Sequence, residues 1–141
     1  MTGILALTAC ERSEVPDEHE KPVYYSIRSV FSVEAGSSYP DSLANPFPNP
    51  YNHQLGDSSI FISFTLRDSA DVKLIIQNPI GDSVAIFKDE RLPPGAHSGR
   101  WTPLNALDVP LRSGLYFITL RADPNDRNYI DSKLLYIENN D

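Results

Sequence analysis

Ile60, Ile62, Phe64 and Leu66 alternate with Phe61, Ser63 and Thr65, and this period of two constrains the fold more than any other feature of the chain. A strand turns successive side chains to opposite faces, so such a segment buries one face and leaves the other outside. Val72, Leu74 and Ile76 repeat the pattern. Asn78-Pro79-Ile80-Gly81-Asp82 then turns the chain and Val84-Ala85-Ile86-Phe87 returns, which predicts a hairpin. Between Pro22 and Glu34 one strand is expected, with Val23, Tyr25, Ile27, Phe31 and Val33 on one side and Tyr24, Ser26, Arg28, Ser32 and Glu34 mostly on the other. Pro93, Pro94 and Gly95 lead into a strand around Trp101, and Pro103 to Arg112 is a long irregular connection. Leu115 to Arg121 and Tyr129 to Ile137 form the last two strands, joined through Asp123-Pro124-Asn125-Asp126.

Seven or so short strands without helical periodicity predict an all-β fold, an Ig-like antiparallel β-sandwich of two sheets face to face. The 141 residues suffice for one domain with its own core. Twelve prolines and seven glycines agree with a turn-punctuated β chain. A formal charge of −7 excludes nucleic acid and anionic membrane faces as natural partners, because neither offers counter-charge to an acidic surface. Much of the imbalance is local: Glu11, Glu14, Asp17, Glu18 and Glu20 crowd one stretch, which reads as a solvated tether over residues 10–22.

Ahead of that tether, Ile4-Leu5-Ala6-Leu7-Thr8-Ala9-Cys10 is apolar up to the only cysteine, and polarity flips at once to Glu11-Arg12-Ser13-Glu14. The segment resembles a bacterial lipoprotein lipobox, matched by Leu7, Thr8, Ala9 and Cys10. The resemblance implies that residues 1–9 are a signal peptide and that Cys10 carries lipid after cleavage, anchoring the chain to the cell envelope at the outer membrane. Met1 to Ala9 contains no Lys or Arg, so the true start is expected upstream. The competing reading is a short apolar edge strand with an ordinary buried thiol. A lone cysteine cannot form an intramolecular disulfide, so packing and sheet hydrogen bonds must hold the fold.

Turn residues recur in a recognisable order: Asn45-Pro46-Phe47-Pro48-Asn49-Pro50, Ile80-Gly81, Leu92-Pro93-Pro94-Gly95-Ala96-His97, Trp101, and Ser113-Gly114-Leu115-Tyr116. Over residues 45–137 this order resembles the Ig-like domain of flagellar hook-capping (FlgD-like) proteins and the related C-terminal sorting domain of type IX secretion cargo. The resemblance implies a noncatalytic structural or protein-interaction module, with sorting by the type IX system as the alternative. Two departures are visible. Thr102-Pro103 follows Trp101 where the family often has Asp-Gly, and the chain closes on Glu138-Asn139-Asn140-Asp141, a tail over 138–141, where sorting domains commonly end in Lys or Arg.

Physical roles follow without the family. Gly81, Gly95 and Gly114 are expected to supply positive φ or close strand approach. Trp101 and Tyr116 are expected in the core with their polar tips at an edge. An exposed aromatic platform of Tyr24, Tyr39, Phe47 and Tyr51 is the weaker alternative to packing, and an open sheet edge could accept an added strand from a partner in the envelope. No catalytic, cofactor or metal residues emerge. His19, His53 and His97 lack metal-ligand spacing, and no Gly-x-Ser-x-Gly elbow presents a serine. Asp123, Asn125 and Asp126 suit a strand connection better than a calcium loop, and Asp89-Glu90 reads as a solvated pair beside a strand end.

Overall fold

The structure is a computed structural model that describes residues 21–34, 40–123 and 128–138. Ten strands occur among the described residues: β1 (Val23–Ser26), β2 (Phe31–Glu34), β3 (Ser42–Leu43), β4 (Tyr51–Asn52), β5 (Ile60–Leu66), β6 (Ala70–Gln77), β7 (Ser83–Leu92), β8 (Gly95–Trp101), β9 (Gly114–Asp123) and β10 (Tyr129–Glu138). They form a six-stranded sheet in the order β1-β7-β6-β9-β10-β4 and a four-stranded sheet in the order β2-β8-β5-β3. The fold is thus an all-β sandwich of two sheets. Six of its strands are long and four are short, and two pairings, β1 with β7 and β4 with β10, are parallel.

The alternation dictates the core. Ile60, Ile62, Phe64 and Leu66 of β5 face Val72, Leu74 and Ile76 of β6, Phe87 of β7, and Ile118 and Leu120 of β9 across one apolar interior. Burying each such side chain stabilises by roughly 1.5–3 kcal/mol. Rings run across that interior from sheet to sheet. Tyr25 stacks on Phe87 at 4.8 Å, Phe31 meets Phe87 at 5.5 Å and Phe64 at 5.4 Å, and Phe64 stacks on His97 at 5.1 Å.

The expected single strand over residues 22–34 is instead two strands broken by a one-turn helix, α1 (Ile27–Val30). The reason is tertiary. β1 hydrogen-bonds to the larger sheet and β2 to the smaller one, so the chain must cross between layers. One helical turn makes the crossing and keeps Ile27 and Phe31, four residues apart, in the core. The turn also resets the alternation, leaving Val33 exposed where an inward position was expected.

Gly99 and Gly95 make room for that crossing. A Cβ on Gly99 would stand 2.5 Å from the Val30 carbonyl oxygen, and one on Gly95 would stand 2.8 Å from that of Glu34. Gly95 also has φ 131°, a conformation that side chains disfavour. β7 runs to Leu92, so Asp89 and Glu90 lie within a strand and not beside its end.

Candidate interaction face

Of the residues singled out in the sequence, Tyr116 and Trp101 both lie in the core, at 6 % and 2 % exposure. Tyr116 donates its hydroxyl to the Arg112 carbonyl at 2.8 Å, the back-bond of a tyrosine corner at the start of β9. The edge position expected for the polar tip of Trp101 is not observed: its Nε1 is buried and finds no acceptor among the described residues. Gly81 (φ 96°) closes the β6–β7 hairpin, where the Asn78 carboxamide accepts from the backbone N–H groups of Ile80 and Asp82. Gly114 (φ 152°) opens β9. Cys10, His19, Tyr39, Asn125 and Asp126 fall outside the described residues.

The aromatic platform does not assemble. Tyr51 is 3 % exposed and belongs to the core, although Tyr24 and Phe47 are exposed. Burial, reinforced by the nearby Asp57 carboxylate, raises the pKa of the Tyr51 hydroxyl.

The edge at β10 is largely closed. Asn49, between two prolines, turns its side-chain amide onto that strand: Nδ2 donates to the Leu134 carbonyl at 3.0 Å, and Oδ1 accepts from the Tyr136 N–H at 2.8 Å. The amide thereby reproduces the donor and acceptor of a neighbouring strand, and β4 continues the pairing at Ile137 and Glu138. Next along the edge, Asp131 receives the Leu43 N–H from the smaller sheet at 3.2 Å, the Tyr129 hydroxyl at 3.1 Å and the Ser132 N–H at 2.9 Å, with Lys133 Nζ at 3.9 Å. Burial, followed by the bond to Asp131, pushes the Tyr129 hydroxyl up to about 12. Closing an edge in this way removes the template that would accept another chain.

The two outer faces remain. On the four-stranded sheet, Ser32, Ser98 and Ser63 lie side by side across β2, β8 and β5, with Ala96, Thr65 and Ser42 in the next row. These small side chains floor a shallow trough of about 460 Å³. Arg100 lies over the Phe61 ring at 5.4 Å in the row beyond the serines. Beneath the serines, His97 is 1 % exposed and its Nε2 donates to the Pro93 carbonyl at 2.8 Å. Burial lowers its pKa, and the nearby Arg28 charge adds to that effect while the Pro93 bond opposes it. No group of His, Cys, Asp and Glu suited to a metal occurs among the described residues.

The six-stranded sheet carries large apolar side chains on its outer face, interspersed with Gln77, Thr119 and Ser132. Tyr24, Ile86 and Ile75 are consecutive partners across β1, β7 and β6, Phe117 pairs with Leu134 across β9 and β10, and Leu115 pairs with Tyr136. Tyr24, Leu134 and Tyr136 are each more than half exposed. One row further along the strands the face becomes basic: Lys73 pairs directly with Arg121, and Lys88 of β7 sits over the Tyr24 ring at 5.6 Å. The row after that is acidic, with Asp71 of β6 opposite Asp123 of β9 and Arg91 at 3.6 Å from the Asp71 carboxylate. Sequence reasoning missed this face because each of its residues occupies the outward phase of a strand, where single apolar residues are ordinary.

A scan against protein-family models finds no match for the chain, and a search of curated proteins finds none.

Proposed function

We propose that this chain is a noncatalytic, lipid-anchored cell-envelope protein whose sandwich serves as a structural and protein-interaction module. Cys10 is the anchor in this reading, residues 11–22 are the stalk, and the sandwich holds its docking face away from the membrane. The observation that carries the interaction role is the group of large apolar side chains on the outer face of the six-stranded sheet, beside an edge closed by Asn49 and β4. The anchor rests on Leu7-Thr8-Ala9-Cys10 and the polarity switch behind it.

Metabolic labelling of the expressed gene with a fatty-acid analogue tests the anchor. Label and membrane association that both vanish in Cys10→Ser are the expected result. Unlabelled protein trimmed near its carboxyl end would favour the sorting module that the landmark residues from Asn45 to Tyr116 resemble.

A further inference from the structure

The two ends of the sandwich differ in what their connections expose. Residues 67–69 join β5 to β6 and residues 93–94 join β7 to β8, so the starts of β5 and β7 lie with the ends of β6 and β8 at the other end. Register adds the start of β9, the end of β10 and β4 to that group, since Phe117 faces Gln77, Gly114 faces Ile137, and Ile137 faces Tyr51. Three connections therefore emerge together: 53–59, 78–82 and 102–113. They carry Leu55 and Leu107, each 81 % exposed, Ile80 at 68 % and Val109 at 50 %. The described residues of the connections at the opposite end, such as Asp41, Arg67, Asp68, Ser69, Pro93 and Pro94, include no large apolar side chain.

Two of the apolar tips have also used up their backbone donors. Asn78 Oδ1 accepts from the Ile80 and Asp82 N–H groups, and its carbonyl accepts from Gly81. Asn105 repeats the device, its Oδ1 accepting from Leu107 at 2.8 Å and Val109 at 3.0 Å and its carbonyl from Asp108. A turn whose N–H groups are paired internally can leave water at far lower cost than an open one. The chain moreover enters the fold here: β1 runs parallel to β7, with Val23 beside Ala85.

From these observations we propose that this end of the sandwich docks on a zwitterionic lipid bilayer, with Leu55, Ile80, Leu107 and Val109 dipping into its interface and lipid at Cys10 tethering it there. Residues 11–22 reach about 40 Å at most. A ten-residue strand such as β7 is about 33 Å long, so turning the opposite end to the membrane would consume most of that reach. Presenting the entry end consumes little of it. Four apolar tips make a weak contact, which suffices once a tether renders it intramolecular. The same turns carry Asp57, Asp82 and Asp108 against His53 and Arg112, with Glu138 beside them at the end of β10. Ammonium headgroups offer these carboxylates counter-charge, whereas anionic lipid repels them. Standing on this end leaves both outer faces clear of the membrane. The inference rests on the lipid anchor for its tether alone, so the docking end and the anchor can fail separately.

The test uses the full chain with isotope-labelled isoleucine, leucine and valine methyls, as expressed and as Cys10→Ser, in phosphatidylcholine bicelles that contain a spin-labelled lipid. In both forms the methyl signals of Leu55, Ile80, Leu107 and Val109 are expected to broaden, with Cys10→Ser needing more bicelle. Those of Val33 and Ile130, exposed apolar residues toward the opposite end, should stay sharp. Combining Ile80→Ser with Leu107→Ser should weaken bicelle binding of the Cys10→Ser chain about tenfold at an unchanged melting temperature. Phosphatidylglycerol in the bicelle should weaken it too. Broadened tips in a parent chain that proves to carry no lipid support the docking end and remove the anchor. A lipidated chain whose tips stay sharp, or whose methyls broaden at both ends alike, overturns the docking end and leaves the anchor standing. Full affinity in the double variant or tighter binding to phosphatidylglycerol also overturns it. So do shifts of the same methyls with chain concentration in lipid-free buffer, which would assign the tips to a second copy.

Discussion

The sandwich has two outer faces built on the same alternation, and they differ in what fills the outward phase. On the four-stranded sheet it holds mostly small groups that water solvates readily, Ser32, Ser63, Ser98, Ala96 and Thr65, with Phe61 covered by Arg100 in the row beyond. On the six-stranded sheet it holds Tyr24, Ile75, Ile86, Phe117, Leu134 and Tyr136, whose exposure to water is unfavourable at about 25 cal/mol per Å². The inward phases are alike, so the interior does not account for the difference. A face can be solvated, covered by a partner or left sticky, and this chain solvates one and presents the other.

The comparison breaks first if the two faces do not share one interior. Phe87 belongs to the larger sheet and Phe64 to the smaller, and Phe31 touches both. Phe87→Ala should therefore cost about 3–5 kcal/mol in urea unfolding. Hydrogen exchange should report loss of protection in both sheets together, and loss in one sheet alone would mean two separate bodies.

The crossing between sheets is the next point of attack. Gly99→Ala would press a methyl against the Val30 carbonyl, and a loss of about 1–3 kcal/mol is expected in the same assay. A stable, unshifted variant would mean that α1 does not pass so close to β8.

At the junction of the two sheets, Asp131→Asn should cost about 1–2 kcal/mol, because charge-assisted bonds to Leu43 N–H and the Tyr129 hydroxyl are weakened. The same variant should bring the Tyr129 ionisation down from about 12 toward its ordinary value, read by ultraviolet titration.

Beneath the serine trough, His97 makes stability depend on pH. Its folded pKa lies below 6.5, so the unfolded chain takes up the proton first as pH falls. The favourable contribution is complete above about pH 6.5 and is lost on acidification through the folded pKa. Urea midpoints should decline over that window, and His97→Phe, which keeps a ring against Phe64, should flatten the decline.

The smallest effect on folding belongs to the exposed faces themselves. Leu134→Ser should change unfolding free energy by no more than about 0.5 kcal/mol, as for most surface substitutions. It should nevertheless reduce binding of the dye ANS, a reporter of exposed apolar surface, whereas Ser98→Thr on the other face should leave dye binding unchanged. Equal dye response to both would erase the distinction between the faces.

Much of this architecture is legible in the sequence because the strand period is written locally. β5, β6, β9 and the Asn78–Asp82 turn follow from alternation and turn chemistry, and the tyrosine corner grows from Ser113-Gly114-Leu115-Tyr116. The helical turn at Ile27 was not legible, since Val23 to Val33 reads as unbroken alternation until one knows that β1 and β2 join different sheets. Asn49 and Asp131 were missed as edge closures for the same reason: their partners Leu134, Tyr136 and Leu43 lie more than 80 residues away. Tyr51, a candidate surface aromatic by sequence, is core because β4 pairs with the end of β10.

By itself the sequence determined which side of strands such as β5, β6 and β9 faces inward, where the β6–β7 hairpin turns, and hence the two-layer β class, since these depend on residues two to five positions apart. Only the tertiary structure decided which strands are neighbours, which edge is sealed, and that scattered outward residues such as Tyr24, Ile75 and Leu134 share one face. Strand order is fixed by long-range packing and pairing, and a surface patch exists only once that order brings its residues together.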